Sequence, residues 1–345
     1  LKKFQRKISS KIKGVEIVRK ILEQKGSKIL EIAKKEVLNE KIESKEIRQA
    51  LSYQMSRWHD TTRPALISLA CEAVGGKSKN VISIAKAVTL LCSGIDAHDD
   101  IIDKSEIKKF RPTMYGKFGG DIALLAADAL IFKGLTILQE ARNINLNKFR
   151  LILNVVKDLI FEIGDAEALE LRFRGRTDVS PEEYLEVIRK KAADVEAYMY
   201  IGAILGDGSK EEIEALRNYG RSLGVIAILR DELSDILDFR GELLHRIEKE
   251  TLPLPVFYAL QDRNINPLII SILRKKEIRK EEAERLLELT DEAGGLRKVG
   301  EIMHNFASNG IKFLNKIEHH RETLNFIMTA TLPRLDLMNV KAAIF

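Results

Sequence analysis

The sequence predicts an all-α protein. Helix-periodic stretches run through most of the 345 residues, prolines number only 7, and no alternating β-branched runs bounded by turn residues occur. Turn signals at Gly75-Gly76, Gly119-Gly120, Asp207-Gly208, Gly241 and Gly294-Gly295 punctuate the helices. No repeat, low-complexity segment or linker marks a boundary, so residues 1–345 are expected to form a single domain. Residues 1–40, in the least apolar part of the chain, are expected to form peripheral N-terminal helices. Ser180 ahead of Pro181, with Glu182 and Glu183 in the first turn, predicts a helix beginning at Ser180.

Composition narrows the function. The chain is 45% hydrophobic and 31% charged, ample for a core and incompatible with global disorder. Its net charge of +6 is spread through interleaved Lys and Glu, as in KKEVLNEKIESKEIRQ, and not gathered in a block, which argues against nucleic-acid binding. Cys71 and Cys92 lack zinc-site spacing, the charged N-terminus precedes no apolar signal core, and no apolar run could span a bilayer. These features predict a reduced, cytoplasmic protein.

Chemistry first shows in VISIAKAVTLLCSGIDAHDDIIDKSEIKKFRPT. Helical stepping gives Val81, Ala85, Val88, Cys92, Ile95, Asp99 and Asp103, so carboxylates continue an apolar stripe. Like charges one turn apart need a cation or a wet surface, since bare burial would cost several kcal/mol. The pattern recurs in YGRSLGVIAILRDELSDILDFRG, where stepping gives Gly224, Ile228, Asp231, Asp235 and Asp238. Two such helices, facing one another, could hold Mg²⁺ ions, which prefer oxygen ligands and share coordination with phosphate. A third stripe, Tyr184, Ile188, Lys191, Val195 and Tyr198, points a lysine the way its apolar neighbours point. Lys108, Lys109 and Arg111 follow the first acidic motif and Lys249 the second, as a Mg²⁺-diphosphate site requires.

Over roughly residues 40–270 the chain resembles the trans-isoprenyl diphosphate synthase family. The resemblance rests on AHDDIID, KKFRPT in place of the family's RRGxPT, GGDIALLAADALIF, RFRGRTDVSPEEYLEVIRKKAA, DELSD and EKETLPLPVFYAL, in that order. It implies a bundle of antiparallel helices around a central cavity, homodimeric or heteromeric with a homologue. It also implies that Asp99 and Asp103, with Asp231 and Asp235, bind Mg²⁺, and that Lys108, Lys191 and Lys249 grip an allylic prenyl diphosphate. It further implies that the allylic carbon–oxygen bond breaks with the metals and lysines stabilising the departing diphosphate, that the double bond of isopentenyl diphosphate attacks the carbocation, and that the released diphosphate removes a proton from the resulting cation.

The chain departs from the family chiefly at the acceptor. WHDTTRP replaces a GGKxxRP-like stretch, so Arg63 and Pro64 remain while Asp60 stands in place of an anion-binding lysine. Arg57 or His59 would have to compensate. Cys92 replaces a histidine or glutamine, leaving Arg63 and Lys109 as the acceptor ligands. On the allylic side Ala192 replaces a threonine, Ala227-Ile228 a Phe-Gln pair, and Glu232 the second aspartate of its motif. These changes spare the ionisation machinery more than the acceptor site; elongation with isopentenyl diphosphate through an unusual acceptor site is expected, against two alternatives: a class I enzyme with another acceptor or a cyclase, and a non-catalytic subunit of a heteromer.

Residues four and five before Asp99, Ile95 and Gly94, are expected on the path of the growing chain. Gly94 is read as a gap above modest Leu91, Val88 and Ala87, which predicts products of about twenty carbons or more. The other reading of Gly94 is close helix packing.

Overall fold

A computed structural model of the chain describes residues 2–108, 111–141, 144–238 and 241–333, with side chains from residue 14 onward. Contacts divide it into two compact units, Leu1–Lys157, Ala197–Leu216 and Lys316–Arg321 in the first, and Asp158–Glu196, Arg217–Asn315 and Glu322–Phe345 in the second. The helices in order are α1 (Lys2–Leu38), α2 (Lys45–Arg57), α3 (Thr62–Ala73), α4 (Ile82–Ile102), α5 (Met114–Phe118) and α6 (Gly120–Gln139). They continue with α7 (Leu146–Phe173), α8 (Pro181–Lys191), α9 (Ala193–Leu205), α10 (Lys210–Leu237), α11 (Glu242–Lys249) and α12 (Leu254–Ala259). The last are α13 (Asn266–Leu273), α14 (Lys280–Glu292), α15 (Gly295–Phe313) and α16 (Arg321–Thr331). The predicted all-α class holds, with one addition: β1 (Ile107–Lys108) pairs antiparallel with β2 (Arg111–Pro112) in a short ribbon after α4.

In the first unit α4 packs along α6, α3 lies against α1 and α4, and α2 and α5 cover α6. The α4–α6 contact is close because each helix offers a glycine to the other. A Cβ on Gly94 would lie 2.7 Å from the Ala127 carbonyl oxygen, and one on Gly134 would lie 2.7 Å from the Ala87 carbonyl oxygen. The segment expected at the periphery is instead one long helix whose second half enters the core through Ile29, Leu30, Ala33 and Val37. These residues recur at helical spacing on a helix that packs against α3 and α4, and just before α3, an almost wholly buried helix, a Cβ on Gly26 would lie 2.9 Å from the Thr61 Cβ. The α9 residues of this unit approach α3 just as closely, since a Cβ on Gly202 would lie 2.6 Å from the Ala70 Cβ.

In the second unit α12 packs on α8, α14 and α15, and α14 on α11, α13 and α15. Helix α8 starts where predicted: Ser180 Oγ accepts from the Glu183 N–H at 3.2 Å and Glu183 Oε2 accepts from the Ser180 N–H at 3.0 Å. This reciprocal cap satisfies donors that the first turn otherwise leaves open. The helix ends at Lys191, and Ala192 sits in the break before α9, where Gly224 of α10 comes so near that a Cβ there would lie 2.9 Å from the Ala192 Cβ. The Tyr219 hydroxyl donates to the Leu324 carbonyl at 2.8 Å, tying α10 to α16.

Candidate functional site

The first acidic motif lies at the open end of α4. Along the predicted stripe Val81, Ala85, Val88 and Cys92 are buried, and exposure begins at Ile95 and continues through Asp99 to Asp103, the residue that caps the helix. Lys108, on the ribbon, reaches back to this end: its Nζ stands 3.2 Å from Asp99 Oδ2 and 2.8 Å from Asp100 Oδ1. Burial opposes its charge, yet Asp99 and Asp100 raise the Lys108 ammonium above its ordinary range, so it stays protonated. Burial also raises the Asp100 carboxyl, with Lys108 acting against it.

The ribbon is held by the threonine of KKFRPT. Thr113 Oγ1 donates to the Ser105 carbonyl at 2.6 Å and accepts from the Gly116 N–H at 2.9 Å, closing the loop and starting α5. The Tyr53 hydroxyl donates to the Pro112 carbonyl at 2.6 Å, and Arg57 donates to the same oxygen. Arg57, expected as a compensating acceptor cation, is therefore engaged by the backbone. Lys109 lies outside the described residues.

Arg63, in the first turn of α3, is surrounded. Its Nη2 donates to both oxygens of Asp96, at 2.8 and 2.7 Å, and its Nε donates to the Tyr198 hydroxyl at 3.1 Å. Its Nη1 stands 3.6 Å from Asp60, whose other oxygen accepts from the Thr62 N–H at 2.8 Å. The Tyr198 hydroxyl in turn donates to Cys92 Sγ at 3.2 Å. The positions read as an acceptor site, Asp60, Arg63 and Cys92, thus do share one network, completed by Asp96 and Tyr198.

In the second unit the acidic motif divides. Asp231 is exposed and paired with Arg230 at 3.2 Å, whereas Asp235 accepts from Arg246 Nη1 at 3.0 Å. Glu232 turns into the core and accepts from Arg246 at 3.1 Å, from the Tyr184 hydroxyl at 2.6 Å and from the Leu254 N–H at 3.0 Å. Burial raises the carboxyls of both Glu232 and Asp235, and Arg246 counters it. Lys191 stands 3.0 Å from Glu167 and also meets Glu170, while Lys249 is exposed at the end of α11. Sequence reasoning missed Arg246. Its signal was its place one turn after buried Leu243 on the core face of α11.

Gly94 carried two readings, a gap on the product path and close helix packing, and its contacts are those of the second. Gly94 faces α6, as do Leu91 and Ala87 below it, the two residues that meet Gly134. Positions 87, 91 and 94 form one helical stripe, and that stripe is a packing face. Ile95 lies on the other stripe, with Cys92 and Asp99.

The donor chemistry at the α4 end fits a hard cation: only oxygens, on consecutive turns of one helix. Among the described residues no group of at least three His, Cys, Asp or Glu side chains is arranged to hold a metal ion. In the second unit Asp231 is exposed and meets its neighbour Arg230, while Asp235 and Glu232 share the single charge of Arg246.

Comparison with known proteins gives the same class. Over 249 residues the chain is 32% identical to the short chain isoprenyl diphosphate synthase of Methanothermobacter thermautotrophicus, covering 72% of each chain. It is 31% identical to the geranylgeranyl diphosphate synthase of Methanosarcina mazei over 273 residues, 77% of this chain and 82% of that one. The crystal structure of geranylgeranyl pyrophosphate synthetase from Pyrococcus horikoshii superimposes with a TM-score of 0.82 at 25% identity, covering 93% of this chain and 99% of that one. These are prenyl-transferring synthases of all-α fold. Residues 44–290 match the polyprenyl synthetase family, and the chain belongs to it. It is a trans-prenyltransferase of isoprenoid synthesis.

Proposed function

We propose that the chain ionises an allylic prenyl diphosphate and condenses it with isopentenyl diphosphate, giving a longer polyprenyl diphosphate. The observation that carries this reading is the Asp99–Lys108–Asp100 cluster at the end of α4: a cation held by carboxylates at an open helix end, within the part of the chain that matches the family. Asp99 and Asp103 are the proposed Mg²⁺ ligands of the first unit. Asp231 is that of the second, with Asp235 available once it exchanges Arg246 for the ion. When bound, Mg²⁺ supplies charge stabilisation for a departing diphosphate. Lys108, Lys191 and Lys249 are assigned to the allylic diphosphate, and Arg63 with Lys109 to the acceptor. Ile95 takes over from Gly94 as the residue bordering the product chain.

The relatives' names support a diphosphate product of short to twenty-carbon length. A homodimer, or a pairing with a homologue, is supported by α6: one side of it packs on α4, while Leu124, Leu125 and Phe132 stand exposed, Phe132 at 66%. No helix among the described residues is long and apolar enough to cross a membrane; a cytoplasmic location is part of the proposal. The test is an incubation with Mg²⁺, labelled isopentenyl diphosphate and each allylic diphosphate in turn, followed by chromatography. Labelled, longer chains are expected. Diphosphate release without label would point to another acceptor or a cyclisation, and activity only with an added homologue would point to a silent subunit.

A further inference from the structure

The network around Arg63 contains a carboxylate that sequence reasoning never assigned. We propose that Asp96 sets the affinity of the acceptor subsite for isopentenyl diphosphate, as an internal competitor that occupies the edge of Arg63 an incoming diphosphate would take. The inference rests on isopentenyl diphosphate being the acceptor.

Each nitrogen of the guanidinium has a neighbour. Asp96 takes Nη2 with both oxygens, at 2.8 and 2.7 Å, Tyr198 takes Nε at 3.1 Å, and Asp60 faces Nη1 at 3.6 Å. A planar guanidinium binds phosphate and carboxylate through the same donors, so a diphosphate gains Arg63 only by displacing a carboxylate. It then meets Asp60 and Asp96 at short range, and both repel it. Of the two, Asp60 has a structural duty, since it accepts the Thr62 N–H at 2.8 Å in the turn that opens α3. Asp96 has no such contact with the backbone. Its side chain is 52% exposed, so replacing it leaves no buried void. Asp96 also lies one turn before Asp99 and Asp100 on α4, where its charge adds to theirs.

The competing role on the same geometry is positioning, with Asp96 holding Arg63 in the orientation a diphosphate needs. The two roles predict opposite signs. We expect Asp96→Asn and Asp96→Leu to tighten isopentenyl diphosphate about tenfold in calorimetry of the full chain with Mg²⁺, and to lower its KM by a similar factor. The KM of the allylic diphosphate and kcat should move far less, a split that general loosening of the fold would not produce. Circular dichroism of both variants checks the fold. Weaker or equal acceptor binding in both variants overturns the inference while leaving the acceptor assignment intact, provided the wild type incorporates label. If neither wild type nor variants bind isopentenyl diphosphate and no label is incorporated, the acceptor assignment and the inference fall together.

Discussion

Arg246 and Glu232 form a buried ion pair, their side chains 9% and 3% exposed and Arg246 Nη2 standing 3.1 Å from Glu232 Oε1. Removing one member strands the other charge, so Arg246→Ala should lower the free energy of unfolding by about 3–5 kcal/mol. Glu232→Gln keeps an acceptor for the Leu254 N–H and should cost less. Urea unfolding of the two variants checks both the size and the order.

Gly94 leads to a different expectation from a residue lining a product path. A side chain there meets the Ala127 carbonyl at 2.7 Å and Ile131 at 2.6 Å, so Gly94→Ala should destabilise by about 1–3 kcal/mol and Gly94→Phe should fold poorly. Ile95→Phe, on the other stripe, should leave stability nearly unchanged and shorten the products. Thermal melts and product chromatography separate the two positions, and shortened products from a stable Gly94→Phe protein would restore the earlier reading.

Gly94 and Ile95 mark the reach of local sequence patterning. Helical periodicity was enough for the all-α class and the run of α4 from buried Val81 to half-buried Asp99, and capping residues for the start of α8, because each depends on residues within a few turns. Gly94 and Ile95 are adjacent, and only the position of α6 decides which of them faces a packed neighbour. The partners of Arg63 were illegible for the same reason: Asp96 and Tyr198 lie 33 and 135 residues away. Glu232 was noted as a departure from a motif, but its inward turn depends on Tyr184 and Arg246, which no spacing rule brings together.

Glu36 of α1 meets Lys86 of α4 and, at 3.6 Å, Lys133 of α6. The hydrogen bond from Lys86 outweighs burial and holds the Glu36 carboxyl below its ordinary 4.5. A depressed carboxyl contributes stability that is fully present above 4.5 and is lost as pH falls through the folded value. Glu36→Gln should therefore cost under about 1 kcal/mol at neutral pH, since the pair is partly exposed. The difference from wild type should vanish in strong acid, as denaturant unfolding across pH would show.

The Asp99–Lys108 pair makes the central claim testable in one assay: release of diphosphate from allylic diphosphates of ten, fifteen and twenty carbons, with isopentenyl diphosphate and Mg²⁺ present. The proposed chemistry predicts release that a chelator abolishes and that Asp99→Asn lowers by about 10²–10³-fold with the fold unchanged by circular dichroism. An Asp99→Asn protein releasing diphosphate at the wild-type rate, or a wild type that releases none from any of the three, would contradict it.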